Sequence, residues 1–300
     1  MNDETASSNR RLPDRDRADD GTTDTAVAVD EALPDHGISP DFGISWPAPL
    51  PLIVALASFF GAPFVAAVVG QVLLMAVGID PYPSAAQVLG QSIGQLSQGQ
   101  GASVTGPDVP VWISAIQFLV GAGLLAGPPV VVALRRGMGP VRDLGLRVVA
   151  RDVPVGLGIG AACQLLVPVL YFVLRPFLGD RDVSEAARQT LERGRGGVGV
   201  AVVVALVVLV APVTEEIFFR GLVLRAAERA YGPTAALIGT SLLFALYHFQ
   251  LLQFPALLVL AVILGTIAMR TGRLGTAIFA HLGFNLTAVI LVLGFPGLLS

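Results

Sequence analysis

Long apolar runs separated by short polar or arginine-bearing segments recur along the chain from residue 50 onward. Leu50 to Ile79 is the first, long enough as a helix to cross about 30 Å of hydrocarbon at about 1.5 Å per residue. Residues 80–109 are polar, rich in Gln, Ser and Gly and without Arg; Val111 to Leu134 is the second span. Arg135 to Arg151 holds five Arg in seventeen residues, and Val153 to Leu174 is the third span. Arg175 to Arg195 mixes charges, and Val183 to Leu191 within it reads as an amphipathic surface helix. Val198 to about Ala211 opens the fourth span. Pro212, which removes a backbone hydrogen bond, is placed to kink it before it runs on towards Arg229. After the Gly232-Pro233 break come Thr234 to Phe249, Phe254 to Met269, and Gly275 to about Leu293. No internal repeat is visible. The pattern predicts an all-α fold, a polytopic helical membrane protein with about seven to eight transmembrane helices.

Composition strengthens this reading. Of 300 residues, 54% are hydrophobic and 14% charged, with mean hydropathy +0.73; a soluble domain carries about a quarter charged residues. All 19 basic residues are Arg, which we read as a coding bias. The net charge of −3 hides an asymmetry, because residues 1–46 carry eleven acids against four Arg. That stretch has too few large apolar residues to offset ordering entropy and is expected to be a disordered acidic tail, with His36 idle within it. It has no apolar core segment, so no cleavable signal peptide is expected. The single cysteine, Cys163, rules out an intrachain disulfide and a cysteine-cluster metal site. The arginine bias of the loops places the N-terminus in the cytoplasm and residues 80–109 outside. Arg225, Arg229, Arg270 and Arg273 agree with this, whereas the five Arg of residues 175–195 do not. The expected location is the cytoplasmic membrane of a bacterium.

Candidate chemistry is confined to the last third. Sixteen uncharged residues, Val198 to Val213, lead into Glu215, Glu216 and Arg220. Ionised groups inside a bilayer cost about 2.5–3.5 kcal/mol each on insertion scales, so a functional site is the default reading. Glu216 and Arg220, four apart, share a helix face and can pair, while Glu215 points about 100° away. The pair reads as a packing lock. The remaining carboxylate, Glu215, suits general acid/base work. His248 ends the fifth span, where an interfacial histidine bonded to a carbonyl is the plain alternative. His281 and Asn285, four apart in the seventh span, can together stabilise an oxyanion or instead serve as an interhelical hydrogen-bond pair. Pro212 and the small residues Gly239, Ser241, Gly265, Gly275 and Gly283 are read as leaving room for a water-filled cavity.

Glu215-Glu216-x-x-x-Arg220, Phe244-x-x-x-His248 and His281-x-x-x-Asn285, in this order, resemble the three-part signature of the CPBP family. These are CAAX prenyl proteases and bacteriocin-processing enzymes, intramembrane proteases also linked to bacteriocin self-immunity. The resemblance covers residues 198–295, read as the protease core; residues 47–197 are read as N-terminal transmembrane helices and loops. A loop reading Asp143-Leu-Gly-Leu-Arg147 is also similar to one in some bacterial members.

The resemblance implies peptide-bond hydrolysis within or near the bilayer. Glu215 and His248 would activate the attacking water, His281 and Asn285 would hold the developing oxyanion, and Glu216 and Arg220 would support Glu215. No cofactor is expected. The family has also been described as metalloproteases, so a zinc ion on Glu215, His248 and His281 is the alternative; no His-Glu-x-x-His motif is present to favour it. The expected partners are a peptide or membrane-protein substrate and the lipid bilayer, with no nucleic acid and no oligomeric state assigned. The rival functions are a non-catalytic scaffold or immunity protein and a proton-coupled transporter. The confinement of the polar groups to one third of the chain disfavours the transporter.

Overall fold

The structure is a computed structural model that describes residues 42–79, 109–178, 184–194 and 196–295. The described elements are the helices α1 (Leu50–Ala76), α2 (Val111–Arg136), the single turn α3 (Pro140–Asp143), α4 (Asp152–Leu178), α5 (Glu185–Glu192), α6 (Gly197–Tyr231), α7 (Pro233–Tyr247), α8 (Phe254–Thr271) and α9 (Gly275–Gly294). Six of them, α1, α2, α4, α6, α8 and α9, are long and apolar enough to cross a membrane. Their outer faces leave Phe60, Phe64, Phe172 and Phe177 between 66% and 84% exposed. An apolar surface of this kind belongs against acyl chains, and the protein is a polytopic helical membrane protein.

The segment expected as the fifth span forms α7, which has 15 residues. At about 1.5 Å per residue this is about 22 Å, short of the roughly 30 Å of hydrocarbon. The short helix answers a problem of depth. His248 ends α7 and His281 lies early in α9, so two full-length parallel spans would hold these residues at different levels.

Residues 1–41 of the expected tail, the polar loop 80–108 and residues 179–183 lie outside the described residues. The tail's far boundary needs correction. Phe42, Ile44 and Trp46 are buried at 8%, 7% and 0% exposure, so residues 42–46 belong to the packed bundle. Arg225 near the end of α6 binds this strap, donating to the Gly43 carbonyl at 3.0 Å and lying 4.4 Å over the Phe42 ring. Arg229 donates to the Trp46 carbonyl at 2.9 Å.

The small residues also play a different part from the one expected. Gly283 faces the backbone of Leu157, Gly275 faces Asp152, and Gly265 faces Leu237. They bring helices together, and none of them lines the cavity that Glu215 shares with the two histidines. A very close approach is that of α4 and α9, where a Cβ at Gly160 would stand 1.9 Å from the Ala280 carbonyl oxygen. Backbone contact of this kind is what small residues permit in membrane helices, where no hydrophobic force draws helices together. The start of α9 is held by the loop 143–147. The Gly145 carbonyl accepts from the Leu274 N–H at 2.8 Å and the Arg147 carbonyl from Gly275 at 3.2 Å. Gly145 adopts φ +68°, and a side chain there would meet the Arg225 guanidinium.

Pro212 shapes α6 less by a kink than by a change of register. Leu206–Val210 is π-helical, and the Ala211 N–H bonds back to the Leu206 carbonyl, five residues away. The α-helical donor for the Val207 carbonyl is thereby used elsewhere. Its π-helical donor would be residue 212, a proline without N–H. A second π-helical segment, Ile217–Val223, follows the two glutamates.

Candidate active site

Glu215 and Glu216 lie between the two π-helical segments, on the short α-helical stretch Ala211–Glu216. Glu216 is fully buried. Its Oε1 accepts from Arg220 Nη1 at 2.8 Å, one turn along the helix, and from His281 Nδ1 at 2.9 Å across to α9. Arg220 also donates to the Ala261 carbonyl of α8 at 3.2 Å and lies 4.3 Å over the Phe244 ring of α7. The Glu216–Arg220 pair therefore locks α6, α7, α8 and α9 together. Outside the pair, the Glu216 carboxylate binds His281 and not Glu215, the residue the resemblance implied it supports. It fixes His281, because a carboxylate already bound to a guanidinium can only accept, so Nδ1 must carry the hydrogen.

His248 is oriented in the same sense by a different group. Its Nδ1 lies 2.9 Å from the Phe244 carbonyl, which can only accept. In the neutral ring the Nε2 lone pair is then free. Phe244 also stacks against both histidines, with ring centroids 4.8 Å from His248 and 5.7 Å from His281.

Glu215 Oε2 faces the two remaining ring nitrogens, 3.9 Å from His248 Nε2 and 3.8 Å from His281 Nε2. Neither is a hydrogen bond. Oε2 is buried and has no hydrogen-bond partner among the described residues. Asn285 sits one turn beyond His281, and its Nδ2 donates to the Val207 carbonyl at 2.9 Å. That is the carbonyl left without a backbone donor by the π-helical register and Pro212. One amide hydrogen of Asn285 is thus committed and the other remains available.

All four residues, Glu215, His248, His281 and Asn285, line one cavity of about 380 Å³. It opens towards the late ends of α4 and α9, under α5, with Gln164, Tyr171, Thr190 and Gln253 on its wall. The α5 helix falls within the segment expected to be an amphipathic surface helix, and in the structure it contributes to the cavity wall. Tyr171 donates its hydroxyl to the Leu252 carbonyl beside the opening. The part played by Phe244 was carried only by its place four residues before His248. The role of Val207 was not visible, because a carbonyl has no letter in the sequence.

The separations also bear on zinc. Neighbouring ligand atoms around a tetrahedral zinc, with bonds of about 2.0–2.2 Å, lie about 3.3 Å apart. Those around Glu215 are wider, and no group of three or more His, Cys, Asp or Glu among the described residues is arranged to hold a metal. The trio does not fit zinc as it stands. A water accepted by groups 3.8–3.9 Å apart fits well.

Fold and site together define a class: a helical membrane protein with an acid/base cluster on a cavity buried among its helices. More particularly, residues 197–287 match the family of Rce1-like type II CAAX prenyl endopeptidases. The match takes in Glu215, Glu216, Arg220, His248, His281 and Asn285, and spans a little under a third of the chain. The family these residues match is one of type II CAAX prenyl endopeptidases, which supports, at family level, an intramembrane endopeptidase acting on a peptide substrate at a lipid bilayer. No curated protein and no solved structure matches the chain.

Proposed function

We propose that this protein hydrolyses peptide bonds at the cavity bounded by Glu215, His248, His281 and Asn285. The observation that carries the reading is Glu215 Oε2, buried, unpartnered, and aimed at two ring nitrogens on other helices. Leaving such an acceptor unpaired costs about 1–3 kcal/mol. A non-catalytic scaffold gains nothing from that cost, whereas a site that seats a water does.

Glu215 and His248 each offer a lone pair, so a water between them donates one hydrogen to each and turns its own lone pair towards an incoming carbonyl carbon. Glu215 takes one proton as the C–O bond forms, and the carbonyl π electrons move to oxygen. The second amide hydrogen of Asn285 is the donor for that oxygen. A proton on His281 Nε2 would add a second donor, since Nδ1 is held by Glu216. Collapse of the intermediate breaks the C–N bond, and the proton on Glu215 passes to the leaving amine. The products are an amine and a carboxylic acid, whose remaining hydroxyl proton passes to His248 Nε2 to leave the carboxylate, with no cofactor in the sequence of steps.

The test uses the full chain in proteoliposomes with internally quenched peptides, one farnesylated near a C-terminus of the CAAX type and one unmodified. Loss of a general base costs about 10²–10⁴-fold, so Glu215→Gln should lower cleavage by that much while the protein stays folded. Equal cleavage by the wild type and Glu215→Gln overturns the assignment.

A further inference from the structure

A second cavity, of about 670 Å³, lies at the opposite end of the bundle from the first. The loop 137–151 and the turn 271–273 enclose it, where α2 and α8 end and α4 begins. Four arginines, Arg142, Arg147, Arg151 and Arg273, stand on its wall. The nearby carboxylates cancel them only in part, since Asp152 is paired with one arginine and Asp143 supplies a single further negative charge. Asp152 is occupied by Arg273, at 2.7 and 3.2 Å, and by the Thr276 hydroxyl at 2.6 Å. Asp143, the carboxylate on the wall, accepts from the Met138 and Gly139 N–H groups at 2.7 and 3.1 Å and from the Ser45 hydroxyl. Arg142, Arg147 and Arg151 form no ion pair or hydrogen bond through their guanidinium groups with a described residue. Three exposed guanidinium groups against the one carboxylate of Asp143 leave the cavity net positive, a charge that favours an anion within it.

The same loop carries a second signal. Met138, Val141 and Val148 are 57%, 57% and 54% exposed, interleaved with the arginines. In a water-facing loop these side chains would gain nothing from exposure. At the level where membrane helices end, they meet the boundary between headgroups and acyl chains. A basic concavity edged with apolar side chains at that depth has the chemistry of a headgroup site.

We infer that this cavity binds the phosphate headgroup of an anionic membrane phospholipid, with its acyl chains against Met138, Val141 and Val148. The inference is independent of proteolysis. It concerns the other end of the molecule and none of the residues placed at the candidate active site. The bound headgroup bridges the loop 137–151 to the α8–α9 turn, the two segments that hold the start of α9 through the Gly145 and Arg147 carbonyls.

The experiment titrates the detergent-solubilised full chain with short-chain phosphatidylglycerol, short-chain phosphatidylcholine and inorganic phosphate, reading binding by native mass spectrometry and by the shift in thermal unfolding. Saturable binding of phosphatidylglycerol is expected, with phosphatidylcholine and inorganic phosphate each at least ten-fold weaker. Each arginine near an anionic surface is worth roughly five-fold, so Arg147→Gln with Arg151→Gln should weaken phosphatidylglycerol roughly 25-fold. The matched control, Arg135→Gln with Arg136→Gln, removes two exposed arginines that do not line the cavity. It should weaken binding less than three-fold, and circular dichroism on both variants establishes that they fold. Equal losses from the two double variants mean diffuse charge attraction and overturn the site. Inorganic phosphate binding as tightly as the lipid assigns the cavity to a free anion and overturns the lipid. Phosphatidylcholine binding as tightly as phosphatidylglycerol overturns both the charge argument and the site.

Discussion

Replacing Arg220 by methionine separates the packing role of the Glu216–Arg220 pair from the chemistry beside it. Glu216 is fully buried, and its Oε2 has no partner even in the intact protein. Without the guanidinium its Oε1 keeps only the His281 Nδ1 donor. Removing one partner of a buried ion pair costs about 3–5 kcal/mol, because the other charge is left uncompensated. The lost contact over the Phe244 ring adds about 1–2 kcal/mol to this. The double replacement, Glu216→Gln with Arg220→Met, removes both charges and retains an amide oxygen for His281 Nδ1 to donate to. Exchanging a whole buried pair for neutral groups of similar volume is close to neutral. The double variant should therefore fall within about 2 kcal/mol of the wild type and be more stable than the single one. Unfolding by SDS titration in bicelles, followed by tryptophan fluorescence and helical circular dichroism, measures both. A single variant within about 1 kcal/mol of the wild type, or a double variant no better than the single, would refute the claim that the pair is desolvated and structural.

Three further outcomes are expected. Gly160→Val should destabilise the protein by roughly 1–3 kcal/mol and lower cleavage, since any Cβ there stands 1.9 Å from the Ala280 carbonyl oxygen one residue before His281. Gly158→Val, with nothing within 4 Å of its added Cβ, should do neither in the same unfolding assay. Dialysis against 1,10-phenanthroline should leave cleavage unchanged within about two-fold, because the oxygen and nitrogen separations around Glu215 are too wide for zinc. Stoichiometric zinc by elemental analysis, lost together with activity, would restore Glu215, His248 and His281 as a ligand set. In a Cys163→Ser background, an impermeant maleimide should label Phe249→Cys in intact cells but Arg147→Cys only after permeabilisation, as the arginine bias of the loops requires. The opposite labelling would invert the orientation and place the cavity mouth on the cytoplasmic side.

The long helices were legible because spanning a bilayer is a one-dimensional demand: enough apolar residues in a row. The polar cluster was legible for the converse reason, since Glu215, Glu216, His281 and Asn285 stand out in any apolar run. What escaped depends on partners. Phe42, Ile44 and Trp46 are three apolar residues at the end of a long acidic stretch, and an average over 46 residues hides them. Their place in the bundle is fixed by distant partners: the core cluster they join and the Arg225 and Arg229 side chains that bind carbonyls of the same strap. The glycines announced close packing or empty space equally well, and only the neighbour opposite each one decides between the two. The bond between Glu216 and His281 depends on how deeply α9 sits beside α6, which is a matter of three-dimensional packing and not of residue spacing.

The two oddities of α6, its π-helical turn and its proline, are best understood as one device. Either alone leaves the Val207 carbonyl a backbone donor. With a π-helical turn and an ordinary residue at 212, the N–H of that residue would serve it; with Pro212 in an unbroken α-helix, the Ala211 N–H would. Together they strip the carbonyl of both, and a bare carbonyl in apolar surroundings demands a donor from elsewhere. Asn285 supplies it at 2.9 Å. That bond commits one amide hydrogen of Asn285 and restrains where the other can point. A donor fixed before substrate arrives does not have to be reorganised during reaction, which is the condition under which such groups contribute most to stabilising an oxyanion. The proline that looked like a kink is, in this arrangement, the residue that aims the asparagine.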